Sequence, residues 1–329
     1  MGDLFPLSFF LSGTCRWRRG LPAATPYLKR RVHMNVTRKR KNGFYKEMQK
    51  CLMDMKPDDM VITFRRITKQ NRKDLHSCTL QMPDAVAAPT FYLEDLYPAY
   101  ENGTAPEDIA ESLISYARQN NLPCLPGNID IENYEGARKS LGLTILGVER
   151  NREYLEDMVY EQIEDLALIP ILFSNDSYGP GCIKIRKSMA EDWGVSEEEV
   201  LREAKENSPH LLPLTFRQLN EVLNEEEESE DAEVFVISNR YFAGGAAAAF
   251  YPHVLEAIGK ALGRDLFILP SSVNELIILT DQGQDPEQLL EIVREVNRTQ
   301  VPQSEFLSDS VYHYSAGEDQ FRRILPDTR

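Results

Sequence analysis

The chain has little of what makes chemistry easy to recognise. Its five cysteines, Cys15, Cys51, Cys78, Cys124 and Cys182, show no C-x-x-C spacing, which argues against a disulfide framework and a zinc knuckle alike. A reducing, cytoplasmic setting is the expectation. His33, His76, His210, His253 and His313 lie far apart with no H-E-x-x-H, so no metal site is expected. Gly244-Gly245 lacks the G-K-[ST] ending of a phosphate loop and the third glycine of a dinucleotide fingerprint, and no cofactor is expected. The apolar run Leu4–Leu11 is far short of the roughly 20 residues that span a bilayer. Its basic neighbours Arg16, Arg18 and Arg19 follow it, the reverse of a secretory signal. Positive charge is scarce as well: 37 Lys and Arg face 52 Asp and Glu, a net charge of −15, which disfavours non-specific nucleic-acid binding over most of the surface.

What is present reads as a soluble multi-part protein, 329 residues long and 42% hydrophobic, with room for two or three domains. Residues 1–43 carry ten Lys or Arg against the single Asp3. This stretch is expected to be a disordered leader, with Met34 an alternative start. Its other reading is a basic arm touching a membrane surface or nucleic acid through Arg30, Arg31, Arg38, Lys39, Arg40 and Lys41.

Folded structure is expected from Phe44, where Phe44, Met48, Cys51 and Leu52 recur at helical spacing. Strand patterns follow at Met60–Thr68, Leu75–Met82 and Thr90–Leu93, then a helix with Ile109, Leu113 and Tyr116 on its buried face; together they make an α+β segment over 44–122. A middle α+β segment, 123–223, has a helical stretch around Ile131–Leu141 and strands at Leu143–Val148, Leu166–Phe173 and Cys182–Arg186. Ser196 opens a capping box with Glu199. The like-charged run within 224–232 reads as an acidic linker, without the Asp-x-Asp-x-Asp-Gly spacing of a calcium loop. The C-terminal module, 233–315, has strands at Val234–Ser238, Ala246–Tyr251, Leu266–Leu269, Asn274–Thr280 and Ser310–Tyr314. Helices begin at Pro252 and after the N-cap Asp285, giving the order ββαββαβ, a ferredoxin-like variant. Residues 316–329 are left as a tail. The fold class is therefore α+β, with mixed antiparallel sheets and helices.

Several ordered segments are familiar: Phe91-Tyr92-Leu93-Glu94-Asp95-Leu96-Tyr97, Trp193-Gly194-Val195-Ser196-Glu197-Glu198-Glu199, Asp265 through Glu275, and Phe306-Leu307-Ser308-Asp309-Ser310-Val311-Tyr312. Over roughly Phe44–Ser315 the chain resembles an uncharacterised domain-of-unknown-function family of clostridial anaerobes. That resemblance implies a bacterial protein and no assigned activity. The family's pattern often has histidine where this chain has Asn274, which puts a catalytic histidine at that point in doubt.

Asn239, Gly244, Gly245, Ser271, Ser272, Asn274 and Glu275 are the small or polar residues expected to converge at strand ends of the C-terminal module. They read either as a pocket whose hydroxyls and amides receive a small ligand or as turn chemistry with glycines permitting tight backbone. Turn chemistry is the cheaper explanation. Glu94 with Asp95, or Asp176, has the functional groups for acid–base work, but carboxylates are too abundant here for any one to be informative. The expectation is a cytoplasmic, non-enzymatic binding or regulatory protein with a site for a small molecule or protein partner on the C-terminal module. The alternative is a hydrolase using Ser271 or Ser272 with Glu275 or His313, although no G-x-S-x-G elbow surrounds either serine.

Overall fold

The computed structural model of the chain describes residues 28–83, 85, 88–120, 131–176, 179–219 and 234–324. They divide into two compact units, a smaller one drawn from 28–69 and 73–120 and a larger one holding 70–72 and the described residues from 131 onward. Among the described residues no helix is long and apolar enough to cross a membrane. The expected acidic linker, 224–232, lies outside the described residues.

The smaller unit runs α1 (Leu28–Asp54), β1 (Val61–Lys69), β2 (Arg72–Gln81), β3 (Thr90–Tyr92), α2 (Leu93–Glu101) and α3 (Pro106–Asn120). Helix α1 thus begins inside the expected leader, so residues 28–43 are helical rather than irregular. The strands form one sheet in the order β1-β2-β3. Phe44, Met48, Cys51 and Leu52 turn into a core shared with Cys78, Leu80, Leu93 and Tyr97, as their helical spacing requires. On α3 the buried face is Ile109, Ala110, Leu113, Ile114 and Ala117. Tyr116, expected on that face, is 52% exposed and lies edge-on to Phe91 at 5.7 Å. Helical periodicity sets Tyr116 just outside the arc spanned by Ile109, Ala110, Leu113, Ile114 and Ala117.

The larger unit contains two antiparallel sheets. The first comprises β4 (Leu141–Gly147), β5 (Glu161–Ile163), β6 (Leu166–Asp176) and β7 (Gly179–Lys184), with β6 pairing all three others. Around it lie α4 (Tyr134–Ala137), α5 (Val148–Leu155), α6 (Lys187–Trp193) and α7 (Glu197–Leu211), the last capped by Ser196 as its sequence indicates. The second sheet comprises β8 (Leu214–Gln218), β9 (Val234–Asn239), β10 (Leu266–Ser272), β11 (Glu275–Thr280), β12 (Val311–Ser315) and β13 (Gln320–Ile324). Its order is β13-β12-β10-β11-β9-β8. Helices α8 (Val254–Leu262) and α9 (Pro286–Thr299) complete the unit.

Side-chain alternation explains why β10 is buried throughout. Leu266 and Ile268 join a large cluster with Leu141, Ile145, Ile169 and Leu172 of the first sheet, while Phe267 and Leu269 pack on Leu289, Leu290 and Val293 of α9. Residues expected as separate middle and C-terminal segments therefore share one hydrophobic cluster.

Two expectations for the C-terminal module are corrected. Ala246–Tyr251 is not a strand: Gly245–Phe250 is a 3₁₀ helix, with Ala246, Ala247, Ala248 and Ala249 fully enclosed in the large cluster. Alanine favours helical backbone, and a Cβ on Gly245 would collide with Ser238 Oγ and the Asn274 carbonyl, so the turn lies flat on the sheet end. His253 then takes φ +63°, placing the start of α8 at Val254, two residues beyond Pro252. The expected tail contains β13, paired to β12 from Val311↔Ile324 to Ser315↔Gln320. The observed order from Val234 is strand, 3₁₀ helix, helix, strand, strand, helix, strand, strand.

Candidate functional site

The seven residues singled out in the C-terminal module do meet, at the junction of the β9 end, the 3₁₀ helix and the β10–β11 hairpin. Asn239 is fully buried; its Oδ1 accepts from the amides of Tyr241 (3.0 Å) and Ala243 (3.4 Å), and its Nδ2 donates to the Ala243 carbonyl at 2.9 Å. Asn274 Oδ1 accepts from the Gly244 amide at 3.1 Å, while its carbonyl accepts from Ser238 Oγ at 2.6 Å. Ser272 Oγ accepts from the Asn274 amide at 3.0 Å, the ordinary chemistry of a turn. Gly244 sits at φ +63°, and a Cβ there would strike Thr144 Oγ1. These polar atoms bind one another and staple three elements together, and none of the seven residues lines the cavities described below.

Ser271 and Glu275 stand slightly apart from that knot. Ser271 Oγ donates to Glu275 Oε1 at 3.0 Å. Burial pushes the Glu275 carboxyl up, the Ser271 hydrogen bond opposes this, and the charge of Glu305 adds to it. His313 is placed elsewhere. It lies opposite Phe267 in the β10–β12 register, hydrogen-bonds Asp281 Oδ2 at 3.1 Å and meets the Phe267 ring edge-on. Of the two bases considered for Ser271, the structure brings Glu275 into reach. Glu94 accepts from both the amide and Nδ1 of His76, the latter at 2.8 Å, so it is occupied in orienting a histidine; the Asp176 side chain lies outside the described residues.

A different set of residues surrounds a cavity of about 310 Å³ in the larger unit. Five elements contribute: the start of α5 (Glu149, Arg150), the turn before β6 (Asp165), α9 (Leu290, Arg294), the segment entering β12 (Phe306–Ser310), and β13 (Arg323). Asp165 organises the polar side. Its Oδ2 accepts from Ser308 Oγ at 2.8 Å and Ser310 Oγ at 2.9 Å, its Oδ1 accepts from Tyr312 OH at 2.7 Å, and Arg323 Nη1 stands 3.5 Å from Oδ2. Burial and the charge of Asp165 hold the Tyr312 phenol well above its ordinary value, keeping it a hydrogen-bond donor. Asn297 of α9 fixes the same segment by donating to the Ser308 carbonyl (2.8 Å) and Asp309 Oδ1 (2.9 Å). Gly147 permits the closest approach, since a Cβ there would collide with the Leu307 carbonyl.

Three guanidinium groups face this frame. Arg150 lies over the Phe306 ring, 3.3 Å from its centroid, and 3.9 Å from Asp309 Oδ2. Arg323 adds a long contact to Glu149 at 3.9 Å. Arg294 makes no ion pair or side-chain hydrogen bond among the described residues. The wall thus offers one uncommitted cation and two cations in long and partly exposed pairs, beside the carboxylates of Glu149, Asp165 and Asp309, while the Ser308 and Ser310 hydroxyls give their protons to Asp165. That is the equipment for receiving a small anion. Among the described residues no group of three or more His, Cys, Asp or Glu is placed to hold a metal ion.

None of the cavity's arginines, nor Asp165, was singled out from sequence, because they come from elements scattered between residues 150 and 323. The one readable trace was Ser308-x-Ser310-x-Tyr312, an alternation that puts three hydroxyls on one side of an extended segment.

A family model described as a family of unknown function (DUF5688) matches residues 41–316, most of the chain, and the chain belongs to that family. No curated protein and no solved structure matches it.

Proposed function

We propose that this DUF5688 member is a binding protein whose larger unit receives a small carboxylate- or phosphate-bearing ligand in the cavity framed by Asp165. The observation that carries this reading is the uncommitted guanidinium of Arg294 facing the same cavity as Arg150 and Arg323. Most of the lining belongs to the C-terminal module, with the α5 start and Asp165 completing it. Free thiols at Cys51, Cys78 and Cys182 support a reducing, cytoplasmic setting.

The test is thermal unfolding of the full chain against a panel of dicarboxylates and phosphorylated metabolites. A true ligand at about 100 times its dissociation constant adds about 2.7 kcal/mol of stability. Arg294→Ala is expected to abolish that gain and leave the unliganded transition in place, because Arg294 is exposed and unpaired. A gain that survives Arg294→Ala would move the site elsewhere.

The second reading, a hydrolase, rests on the 3.0 Å contact between Ser271 and Glu275. It requires Ser271 to be open to substrate, and the residue is 6% exposed. Covalent labelling at Ser271 by a fluorophosphonate, lost in Glu275→Gln, would favour it over the binding reading.

A further inference from the structure

We propose that the smaller unit carries a groove for single-stranded nucleic acid, independent of the anion cavity in the larger unit. The groove is a cavity of about 430 Å³ against α1 and the β1–β2 face. Residues 42, 45, 46 and 49 form one stripe of α1 along it, presenting Lys46 and two side-chain amides above the buried Tyr45. Phe64, Arg65, Arg66 and His76 come from the strands, and no carboxylate lines it.

Two observations set this cavity apart from an ordinary solvated surface. Lys46 and Arg65 make no ion pair or side-chain hydrogen bond among the described residues. In a chain of net charge −15, cations without partners are not an average expectation. The remaining groups are held in place: Arg66 Nη2 donates to His76 Nε2 at 3.2 Å, which puts the His76 proton on Nδ1, where it donates to Glu94. Tyr45 stacks on that imidazole with ring centroids 4.3 Å apart.

The charge also extends along the chain. Residues 28–83 carry 15 Lys or Arg against five Asp or Glu, within a unit that holds 16 against 12 over 28–128. Lys46, Arg65 and Arg66 together are more cations than one phosphate needs, which matches a polyanion. The guanidinium planes of Arg65 and Arg66 and the half-exposed rings of Phe64 and His76 favour unpaired bases, which stack on such groups, whereas a duplex keeps its base faces inside. An anionic bilayer is the competing polyanion. Against it, α1 turns Phe44, Tyr45, Met48 and Leu52 into the core, so its groove-side stripe offers amides and a lysine in place of the apolar face that a bilayer takes up.

The test is fluorescence anisotropy of labelled oligothymidylate and oligouridylate with the full chain, over a salt series. Three phosphate contacts predict that log K falls against log salt with a slope of about −2. Lys46→Glu and Arg65→Glu should each lower affinity about tenfold, and their neutral counterparts Lys46→Gln and Arg65→Gln should lower the slope by about one contact. Arg118→Glu, exposed on α3 and outside the lining, should change neither. The proposal is overturned by absence of binding to both oligomers, or by equal sensitivity to Arg118→Glu. It is likewise overturned if a mononucleotide competes as well as the oligomer at equal nucleotide concentration, if duplex binds as tightly, or if only phosphatidylserine vesicles bind with the Lys46 and Arg65 dependence. Unchanged melting of the glutamine variants separates lost binding from lost folding.

Discussion

Strands β1 and β10 show how differently the two units use their sequence. Every residue of β10 from Leu266 to Ser272 is buried, with Leu266 and Ile268 facing one apolar cluster and Phe267 and Leu269 another. Every residue of β1 from Val61 to Lys69 is exposed or half-exposed, in a sheet of three strands. The charges divide in the same sense: 18 Lys or Arg against 39 Asp or Glu over residues 129–329, and 16 against 12 over 28–128. The larger unit can therefore hold polar groups inside a frame, as Asp165 is held, while the smaller one keeps Lys46 and Arg65 at the surface with no ion pair among the described residues. A buried frame suits selection of one small ligand; an open cationic groove suits a long one.

The comparison breaks most visibly in the cores. Ile268→Ala removes a side chain enclosed between two sheets and should cost about 4 kcal/mol in denaturant unfolding. Val61→Ala, at a position 57% exposed, should cost less than about 0.5 kcal/mol. Similar losses at the two sites would mean that β1 is covered by something these contacts do not include.

Carboxylates give the next largest contrast. Asp165 is 11% exposed and serves three hydroxyl donors and Arg323, so Asp165→Ala should cost about 3 kcal/mol and remove ligand stabilisation as well. Glu94 is 20% exposed and serves only His76, and Glu94→Ala should cost about 1 kcal/mol. Chemical denaturation of the two variants at one pH measures the difference. Equal losses would show that water satisfies the Asp165 donors, and the frame would then be too loose to orient a ligand.

Much of this division was legible because it rests on local patterns. The period of Phe44, Met48, Cys51 and Leu52 marks the core of the smaller unit, Ser196 and Asp285 cap their helices, and Gly263 ends α8 at φ +65°. Where tertiary context decides, sequence misleads. The alanines at 246–249 suit either a strand or a helical turn, and the deciding contact is Gly245 against Ser238 of the preceding strand and Asn274 of the β10–β11 hairpin. Strand β13 was hidden because Gln320–Ile324 is a half-exposed edge with two arginines. The candidate residues of the C-terminal module lie near one another, and their hydrogen bonds are mutual. The open cavity draws Arg150, Asp165, Arg294 and Arg323 from four elements, with no common motif.

The smallest expected effect concerns a carboxylate of the larger unit that lacks the support given to Asp165. Glu275 has one hydroxyl donor, Ser271, and the charge of Glu305 for company, and burial raises its folded-state value above the ordinary 4.5. A raised carboxyl means that the folded state holds its proton more tightly than the unfolded chain. The resulting stabilisation is complete below pH 4.5 and is lost as pH climbs through the folded value, leaving an ionised group that opposes folding at neutral pH. Glu275→Gln keeps an acceptor for Ser271 and removes the charge. It should therefore raise the melting temperature at pH 7, and that advantage should shrink as pH is lowered toward 4.5. A variant less stable than the parent at pH 7 would mean that the ionised carboxylate is stabilised by a partner beyond Ser271, and Glu275 would then join Asp165 as an anchored charge of this unit.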